Sequence, residues 1–377
     1  MMKYKIADAK CLVVKVGSSL LVDNTTGRIN RKWLRTLIDD IVHFWQAGLK
    51  VVLVSSGSVA LGCHHLQLKN GDLHLEEKQA AAAVGQIKLA HVYEEMLKKH
   101  GITVAQILLT INDSENRISY INIKNTLETL LALRAIPIIN ENDTTATNEI
   151  QYGDNDRLAA RVAQMIGADT LVLLSDIEGL YTANPQLHPT AQFIPEVKKL
   201  TPEILAMADE SISDHGSGGM ITKLSAAKIV LSSGCRMVIA PGKYFNPLTR
   251  IDLPSQCTWF VPKTSPIKAR KNWIAHHLQP QGILLIDAGA IIALTRGKSL
   301  LSVGVLKVQG EFRKGDAVCV LSENKQEIAR GIVNYAAHEA KKIVGKKSCE
   351  IEKILGYLGS EEIVHRSDLV ITAGEKI

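Results

Sequence analysis

Short apolar runs alternate with helix-like segments over roughly the first 270 residues of the chain. Each run has the length of a buried strand, and a segment with helical spacing of apolar residues follows most of them. The runs lie at Cys11–Val16, Val51–Val54, Val104–Leu109, Ile136–Ile139, Leu171–Leu174 and Met237–Ala240. This alternation predicts an α/β domain in which a mainly parallel sheet is sandwiched by helices.

Two of the helical segments carry clear start or stop signals. Asn30 precedes apolar residues at helical spacing and Gly48 follows them, which predicts a helix capped by Asn30. An alanine-rich helix is predicted over Glu76–Lys99, with Gly101 as its stop.

The pattern changes after Val261. The segment Pro262–Lys271 is rich in proline and basic residues and predicts a linker. Short strands separated by turn residues then predict a small β-barrel, with one helix in Ala336–Lys347. These strands are expected at Gly282–Ile286, Val303–Val308, Ala317–Leu321 and Ile328–Val333. We therefore predict two domains, residues 1–272 and residues 281–377, the second with its core at about 281–360.

Composition and charge exclude several classes of protein. With 46% hydrophobic and 22% charged residues, the chain is neither disordered nor fibrous. No apolar run approaches the roughly 18 residues of a membrane span, and Cys11–Val16 is too short for a signal peptide, so we expect a cytoplasmic protein without a membrane partner. The net charge of +6 does not demand nucleic acid. The dense basic patch Lys341, Lys342, Lys346 and Lys347 leaves RNA binding open.

The six cysteines form no CxxC pair, and we expect them to be reduced and mostly buried. The histidines show no ligand spacing, so no metal-ligating residues are predicted.

Candidate chemistry lies just after the predicted strands, where ligands bind in α/β sheets. Lys15 and Gly17 follow the first strand, and Ser56 and Gly57 follow the second. Lys15 could equally be an edge lysine that reaches solvent, and the serines could be ordinary helix caps. Taken alone, neither segment is specific.

Three later loops strengthen the case. Asn140–Thr144 and Gly153–Asp156 hold acids and amides that could bind an ammonium group and orient lysines. Ser175-Asp176 follows another strand, and Gly216–Lys223 is a glycine cluster that leads into a helix, which suits a phosphate. Two lysines with an acid between them in sequence are the layout of phosphoryl transfer.

Six segments, in this order, resemble the amino-acid kinase family: VVKVGSS, VSSGSVALG, INENDTTAT, GDNDRLAA, LLSDIEGLYTANP and GSGGMITKLSAA. The remainder of the chain resembles a PUA domain. The resemblance is closest to the members that phosphorylate the side-chain carboxylate of L-glutamate with ATP, the first step of proline synthesis. It implies a homo-oligomer, either a dimer or a tetramer.

The resemblance also implies roles for individual residues. Lys15 and Lys223 would stabilise the transferring phosphoryl group, and Asp156 would organise them. Substrate positions are matched by Ser56, Gly57, Asp143 and Asn155. Nucleotide positions are matched by Lys15, Ser175, Asp176, Ser217, Gly218, Gly219, Met220, Ile221, Thr222 and Lys223. The metal is expected to be Mg²⁺, held mostly by ATP oxygens and water.

Other readings stay open at this stage. The kinase-like part could be inactive in a nucleic-acid-binding regulator, or the acceptor could be acetylglutamate, aspartate or a nucleotide. Inhibition by proline and a downstream enzyme that reduces glutamyl phosphate are also left open. Two segments depart from the family pattern, Asp214-His215 in the glycine loop and Ile123-Lys124 further upstream.

Overall fold

The computed structural model describes residues 4–23, 26–68, 73–145, 155–208, 219–253, 256–276 and 278–372. The chain divides into two compact units, Met1–Pro266 and Ile267–Ile377. The prediction of a linker over Pro262–Lys271 was wrong for its second half, because a helix spans Pro266–His276. Pro266 is the first residue of that helix, where the missing N–H of proline costs no hydrogen bond.

Most strands of the first unit form one sheet. The strands are β1 (Cys11–Val16), β2 (Lys50–Ser55), β3 (Val104–Leu109), β4 (Ile136–Glu141), β5 (Thr170–Ser175), β6 (Leu180–Tyr181), β7 (Phe193–Ile194), β8 (Glu196–Val197), β9 (Arg236–Pro241) and β10 (Thr258–Phe260). Within the described residues, the sheet has the order β3-β4-β2-β1-β5-β9-β10-β8. Every pair is parallel except β9 with β10. The mainly parallel sheet and its six predicted strands are confirmed, whereas β8 and β10 are too short for a sequence pattern to reveal.

Helices cover both faces of this sheet. They span Ser18–Leu21, Arg31–Gln46, Ser58–His65, Leu75–Lys98, Ile111–Glu115, Arg117–Ala132, Asn155–Ile166, Pro202–Ala206, Met220–Ser232 and Pro247–Ile251. Alternate residues of β1 enter two different cores, Val14 on one face with Leu37 and Val13 on the other with Leu158. The predicted cap is present, because the Asn30 side chain accepts a hydrogen bond from the backbone N–H of Trp33.

The helices Ser58–His65 and Leu75–Lys98 pack backbone against backbone. A Cβ added to Gly62 would lie 1.7 Å from the carbonyl oxygen of Ala81, and one added to Gly85 would lie 1.8 Å from that of Ser58. Only glycine permits this approach at either position. The contact holds the long helix close to the carboxyl end of β2.

The second unit is rich in strands, as predicted. Its strands are β11 (Gly282–Ile286), β12 (Leu300–Leu301), β13 (Val305–Gly310), β14 (Ala317–Ser322), β15 (Glu327–Ile332), β16 (Glu362–Val364) and β17 (Leu369–Ile371). A five-stranded sheet has the order β13-β11-β14-β15-β17, and β12 pairs with β16. The predicted helix is present at Ala337–Ile343.

Two further helices of this unit were not predicted from the sequence. Ala288–Thr295 is apolar at nearly every position, so it has no polar face from which a helical period could be recognised. Ser348–Leu355 carried a usable signal, because Ile351, Ile354 and Leu355 have helical spacing and Gly356 ends the helix with a φ of +78°. Across the described residues, we find no helix with the length and apolarity that a membrane crossing requires.

The close helix contact gives a stability prediction. Gly85→Ala should destabilise the protein by at least about 2 kcal/mol, because the new methyl group collides with backbone that cannot rotate away. Urea unfolding, followed by circular dichroism, measures the change. Gly289→Ala is the matched control within a helix, since the nearest atom to its added Cβ is a side-chain oxygen of Asp287 at 3.3 Å. The control should change stability by less than about 1 kcal/mol, and equal effects of the two substitutions would contradict the interpretation.

Candidate active site

Lys15 is a charged residue in the middle of a buried sheet. It lies on β1 between Val54 of β2 and Leu173 of β5, and its side chain is 11% exposed. A buried ammonium group is costly unless an opposite charge meets it. Its Nζ lies 2.7 Å from Oδ1 of Asp156, which meets that requirement.

The other carboxylate oxygen of Asp156, Oδ2, contacts two residues of the helix Met220–Ser232. Thr222 donates its hydroxyl to Oδ2 of Asp156 at 2.9 Å, and Nζ of Lys223 lies 3.4 Å from the same oxygen. Both residues stand in the first turn of that helix, which begins after Gly219. The side chains of Asp156 and Lys223 are 1% and 6% exposed, so both charges are almost removed from water. We call Lys15, Asp156, Thr222 and Lys223 the lysine cluster.

The electrostatics of Asp156 follow from these contacts. Burial alone would raise its pKa, but the charges of Lys15 and Lys223 and the hydrogen bonds from Lys15 and Thr222 oppose burial and win. The pKa of Asp156 is thereby lowered from 3.8 to about 2. At neutral pH the cluster holds one carboxylate against two ammonium groups, so it has an excess positive charge that suits an anionic ligand.

A second group of polar side chains lies beside the first. The amide nitrogen of Asn155 has three acceptors within hydrogen-bond distance, the backbone oxygen of Ser55 and Oγ of Ser56, both at 2.8 Å, and Oδ1 of Asn140 at 3.0 Å, for its two hydrogens. Asn155 and Asp156 are consecutive at the start of one helix. The helix therefore joins this amide group directly to the lysine cluster.

Asp143 connects to the same group through Ser58. The Ser58 hydroxyl donates to Oδ2 of Asp143 at 2.9 Å, and the amide of Asn140 donates to the Ser58 oxygen at 3.3 Å. Burial raises the pKa of Asp143, and the hydrogen bond from Ser58 partly offsets that rise. We call Ser56, Ser58, Asn140, Asp143 and Asn155 the amide cluster.

Gly57 makes the turn that brings β2 into this cluster. Its φ of +98° is a left-handed conformation that favours glycine, and an added Cβ would lie 2.9 Å from a methyl group of Val22. The turn places Ser56 and Ser58 on either side, where each reaches a different member of the amide cluster.

The remaining candidates lie nearby in the fold. Ser175 ends β5 beside Pro241 of β9, and its hydroxyl donates to Asp176 at 3.0 Å. The backbone oxygen of Gly219 lies 2.8 Å from Oγ1 of Thr222, as a second acceptor near that hydroxyl, while Met220 is buried and Ile221 is exposed. Two predicted nucleotide residues, Ser217 and Gly218, fall outside the described residues, as does Asp214-His215.

Sequence reasoning missed two polar residues that contact the predicted ones. Ser58 looked like an ordinary residue at a helix start, although its place after Gly57 was a usable signal. Gln86, on the alanine-rich helix, accepts a hydrogen bond at 2.7 Å from the amide of Asn140. No sequence feature distinguished Gln86 from a surface glutamine of that helix.

Comparison with known proteins agrees with this geometry. A model described as the amino acid kinase family matches residues 10–241, a span that includes both clusters. The chain belongs to this family. A second model, the PUA domain, matches residues 282–355. The predicted family resemblance and fold class are therefore confirmed for both parts of the chain.

Relatives of this family member match over nearly the whole chain. Glutamate 5-kinase of Paramagnetospirillum magneticum is 56% identical over 366 residues, covering 97% of this chain and 99% of the relative. Glutamate 5-kinase of Brucella abortus is 52% identical over 372 residues, covering 99% and 98%. That of Rhodospirillum rubrum is 52% identical over 359 residues, covering 95% and 96%.

The lowered pKa of Asp156 predicts how stability depends on pH. A carboxylate whose pKa is lower in the folded state stabilises the fold above its unfolded pKa and loses that effect as the pH falls. A shift from 3.8 to about 2 corresponds to about 2–3 kcal/mol, present above about pH 4 and lost toward about pH 2.

Urea unfolding of the wild type and Asp156→Asn, from about pH 7 down to about pH 3, measures this effect. The wild type should be more stable by a constant amount above about pH 5, and this advantage should shrink at lower pH. An advantage that does not change with pH would contradict the assignment.

Proposed function

We propose that this protein transfers the γ-phosphoryl group of ATP to the side-chain carboxylate of L-glutamate, which yields ADP and L-glutamyl 5-phosphate. This is the first step of proline biosynthesis. The observation that carries the proposal is the convergence of Lys15 and Lys223 on the buried carboxylate of Asp156. The identity of 52–56% to relatives named glutamate 5-kinase supports the choice of acceptor.

The chemistry needs charge stabilisation more than it needs a base. A glutamate side chain has an ordinary pKa of about 4.3, so its carboxylate is already ionised near neutral pH. One oxygen of that carboxylate forms a bond to the γ-phosphorus, and the bond to the bridging oxygen of ADP breaks. Because two anions must approach, cations fixed in advance lower the barrier most effectively.

Lys15 and Lys223 supply these cations, and Asp156 positions them. Their burial strengthens each charge–charge interaction, since little water is present to screen it. Around the nucleotide we propose Ser175, Asp176, Ser217, Gly218, Gly219, Met220, Ile221 and Thr222. The N-terminus of the helix Met220–Ser232 favours an anion through its backbone N–H groups.

Mg²⁺ is proposed to enter with ATP. Both oxygens of Asp156 already face cations or a hydroxyl, and no group of three potential metal ligands occurs among the described residues. ATP oxygens and water then serve as the main ligands, which is the coordination that Mg²⁺ prefers. When bound, the ion neutralises charge on the phosphates.

The acceptor is proposed to bind at the amide cluster. Asp143 offers a carboxylate to the substrate's ammonium group, and Ser56, Gly57 and Asn155 complete the site. Asn155 and Asp156 are consecutive, which supports an acceptor held next to the lysine cluster.

Several finer expectations stay predictions. The functional domains are predicted at residues 1–272 and 281–377, and the protein is predicted to be a cytoplasmic homo-oligomer. Inhibition by proline, consumption of the product by a glutamyl phosphate reductase and binding of RNA by the second domain also remain open.

The reaction can be tested directly. With ATP and Mg²⁺, L-glutamate should give a hydroxamate when hydroxylamine traps the acyl phosphate, together with an equivalent amount of ADP. Aspartate and acetylglutamate are the comparison substrates. A good yield with either of them and none with glutamate would contradict the proposal.

The lysine roles can be tested by substitution. Lys223→Ala and Lys15→Ala should each lower kcat by roughly 100-fold or more, because each removes a cation from the transition state. Lys228→Ala is the matched control, since Lys228 is exposed on the same helix as Lys223. A folded Lys223→Ala protein with the kcat of this control would show that Lys223 has only a structural role.

A further inference from the structure

Gln86 is a buried polar side chain with no role in the proposed reaction so far. It is only 7% exposed and stands next to Gly85 on the helix Leu75–Lys98. The backbone contact between Gly85 and Ser58 holds this part of the helix beside the amide cluster. The side chain of Gln86 therefore forms a hydrogen bond with Asn140, although the two residues belong to segments that are far apart in sequence.

The orientation of the Gln86 amide is fixed by a chain of hydrogen bonds. The backbone N–H of Glu141 can only donate, and it donates to Oδ1 of Asn140 at 2.9 Å. The other end of the Asn140 amide must then be its nitrogen, which donates to Oε1 of Gln86 at 2.7 Å. The nitrogen Nε2 is thus the end of Gln86 that points away from Asn140.

Nε2 of Gln86 is buried and has no hydrogen-bond partner among the residues that the structure describes. The same is true of Oδ1 of Asn155, whose nitrogen is fixed by the backbone oxygen of Ser55, a group that can only accept. Leaving a buried donor or acceptor unsatisfied costs free energy, so such groups are few in folded proteins and each calls for an explanation. Gln86 and Asn155 both form hydrogen bonds with Asn140, so the unsatisfied donor and the unsatisfied acceptor belong to the same hydrogen-bond network.

In hydrogen-bonding character, this pair is complementary to the two charged groups on the α-carbon of an amino acid. An α-carboxylate only accepts hydrogen bonds, as Nε2 of Gln86 requires, and an α-ammonium only donates, as Oδ1 of Asn155 requires. We propose that Gln86 is a specificity-determining residue that donates from Nε2 to the α-carboxylate of the amino-acid substrate. The inference rests on the proposed function, because it assumes that the amide cluster binds the acceptor.

Gln86→Glu tests the role of the nitrogen Nε2 separately from that of the oxygen Oε1. Glutamate at this position still offers an acceptor to Asn140 but replaces the donor by a carboxylate oxygen, which repels the α-carboxylate. The KM for L-glutamate should rise about 10–100-fold, the effect of one hydrogen bond to a charged group, with the KM for ATP unchanged. Gln86→Met removes the donor without adding charge and should give a smaller rise.

Two substrate analogues identify the group that Gln86 recognises. Glutarate lacks the α-ammonium but keeps both carboxylates, whereas 4-aminobutyrate lacks the α-carboxylate. Each analogue is measured as a competitive inhibitor against L-glutamate, in the wild type and in Gln86→Glu. In the variant, the inhibition constant of glutarate should rise by about the same factor as the KM for glutamate, whereas that of 4-aminobutyrate should not change. Gln46→Glu, at the exposed end of the helix Arg31–Gln46, is the control and should leave all constants unchanged.

The outcomes separate the inference from the function on which it rests. Equal weakening of glutamate, glutarate and 4-aminobutyrate would overturn the inference, because Gln86 would then act only through Asn140. Unchanged constants for glutamate in both variants would overturn it as well. A wild-type protein that forms no hydroxamate from glutamate would instead contradict the proposed function, before any variant is compared.

Discussion

The buried carboxylate of Asp156 is the contact on which the first unit depends. It joins Lys15 on β1 to Lys223 on the helix Met220–Ser232, two segments that stand at opposite ends of this unit in sequence. Without a carboxylate between them, two ammonium groups could not remain buried side by side. One ion-paired network therefore closes the fold and concentrates positive charge where phosphates are expected.

Much of this arrangement could be predicted from the sequence. Apolar runs of strand length gave the central strands almost to the residue, because strands buried on both faces read as continuous apolar segments. The polar residues after those strands then marked the candidate site. The sequence could not supply the sheet order, which places β1 between β2 and β5 and so brings Lys15 beside the start of the helix Asn155–Ile166.

The burial of Gln86 and its contact with Asn140 could not be predicted from the sequence. Its neighbours are mostly alanines, and helical periodicity distinguishes buried from exposed positions poorly when side chains are small. What buries Gln86 is the contact of Gly62 and Gly85 with a neighbouring backbone, which is a property of two packed helices. Asn140 was recognised only as one of several polar residues in its loop, because its partners come from three separate segments.

Asn155 and Asp156 are adjacent residues that belong to different clusters, so the start of one helix anchors both clusters. A substitution that shifts this turn would move one side chain of each cluster at once. Damage to both clusters therefore does not require two separate changes in the chain.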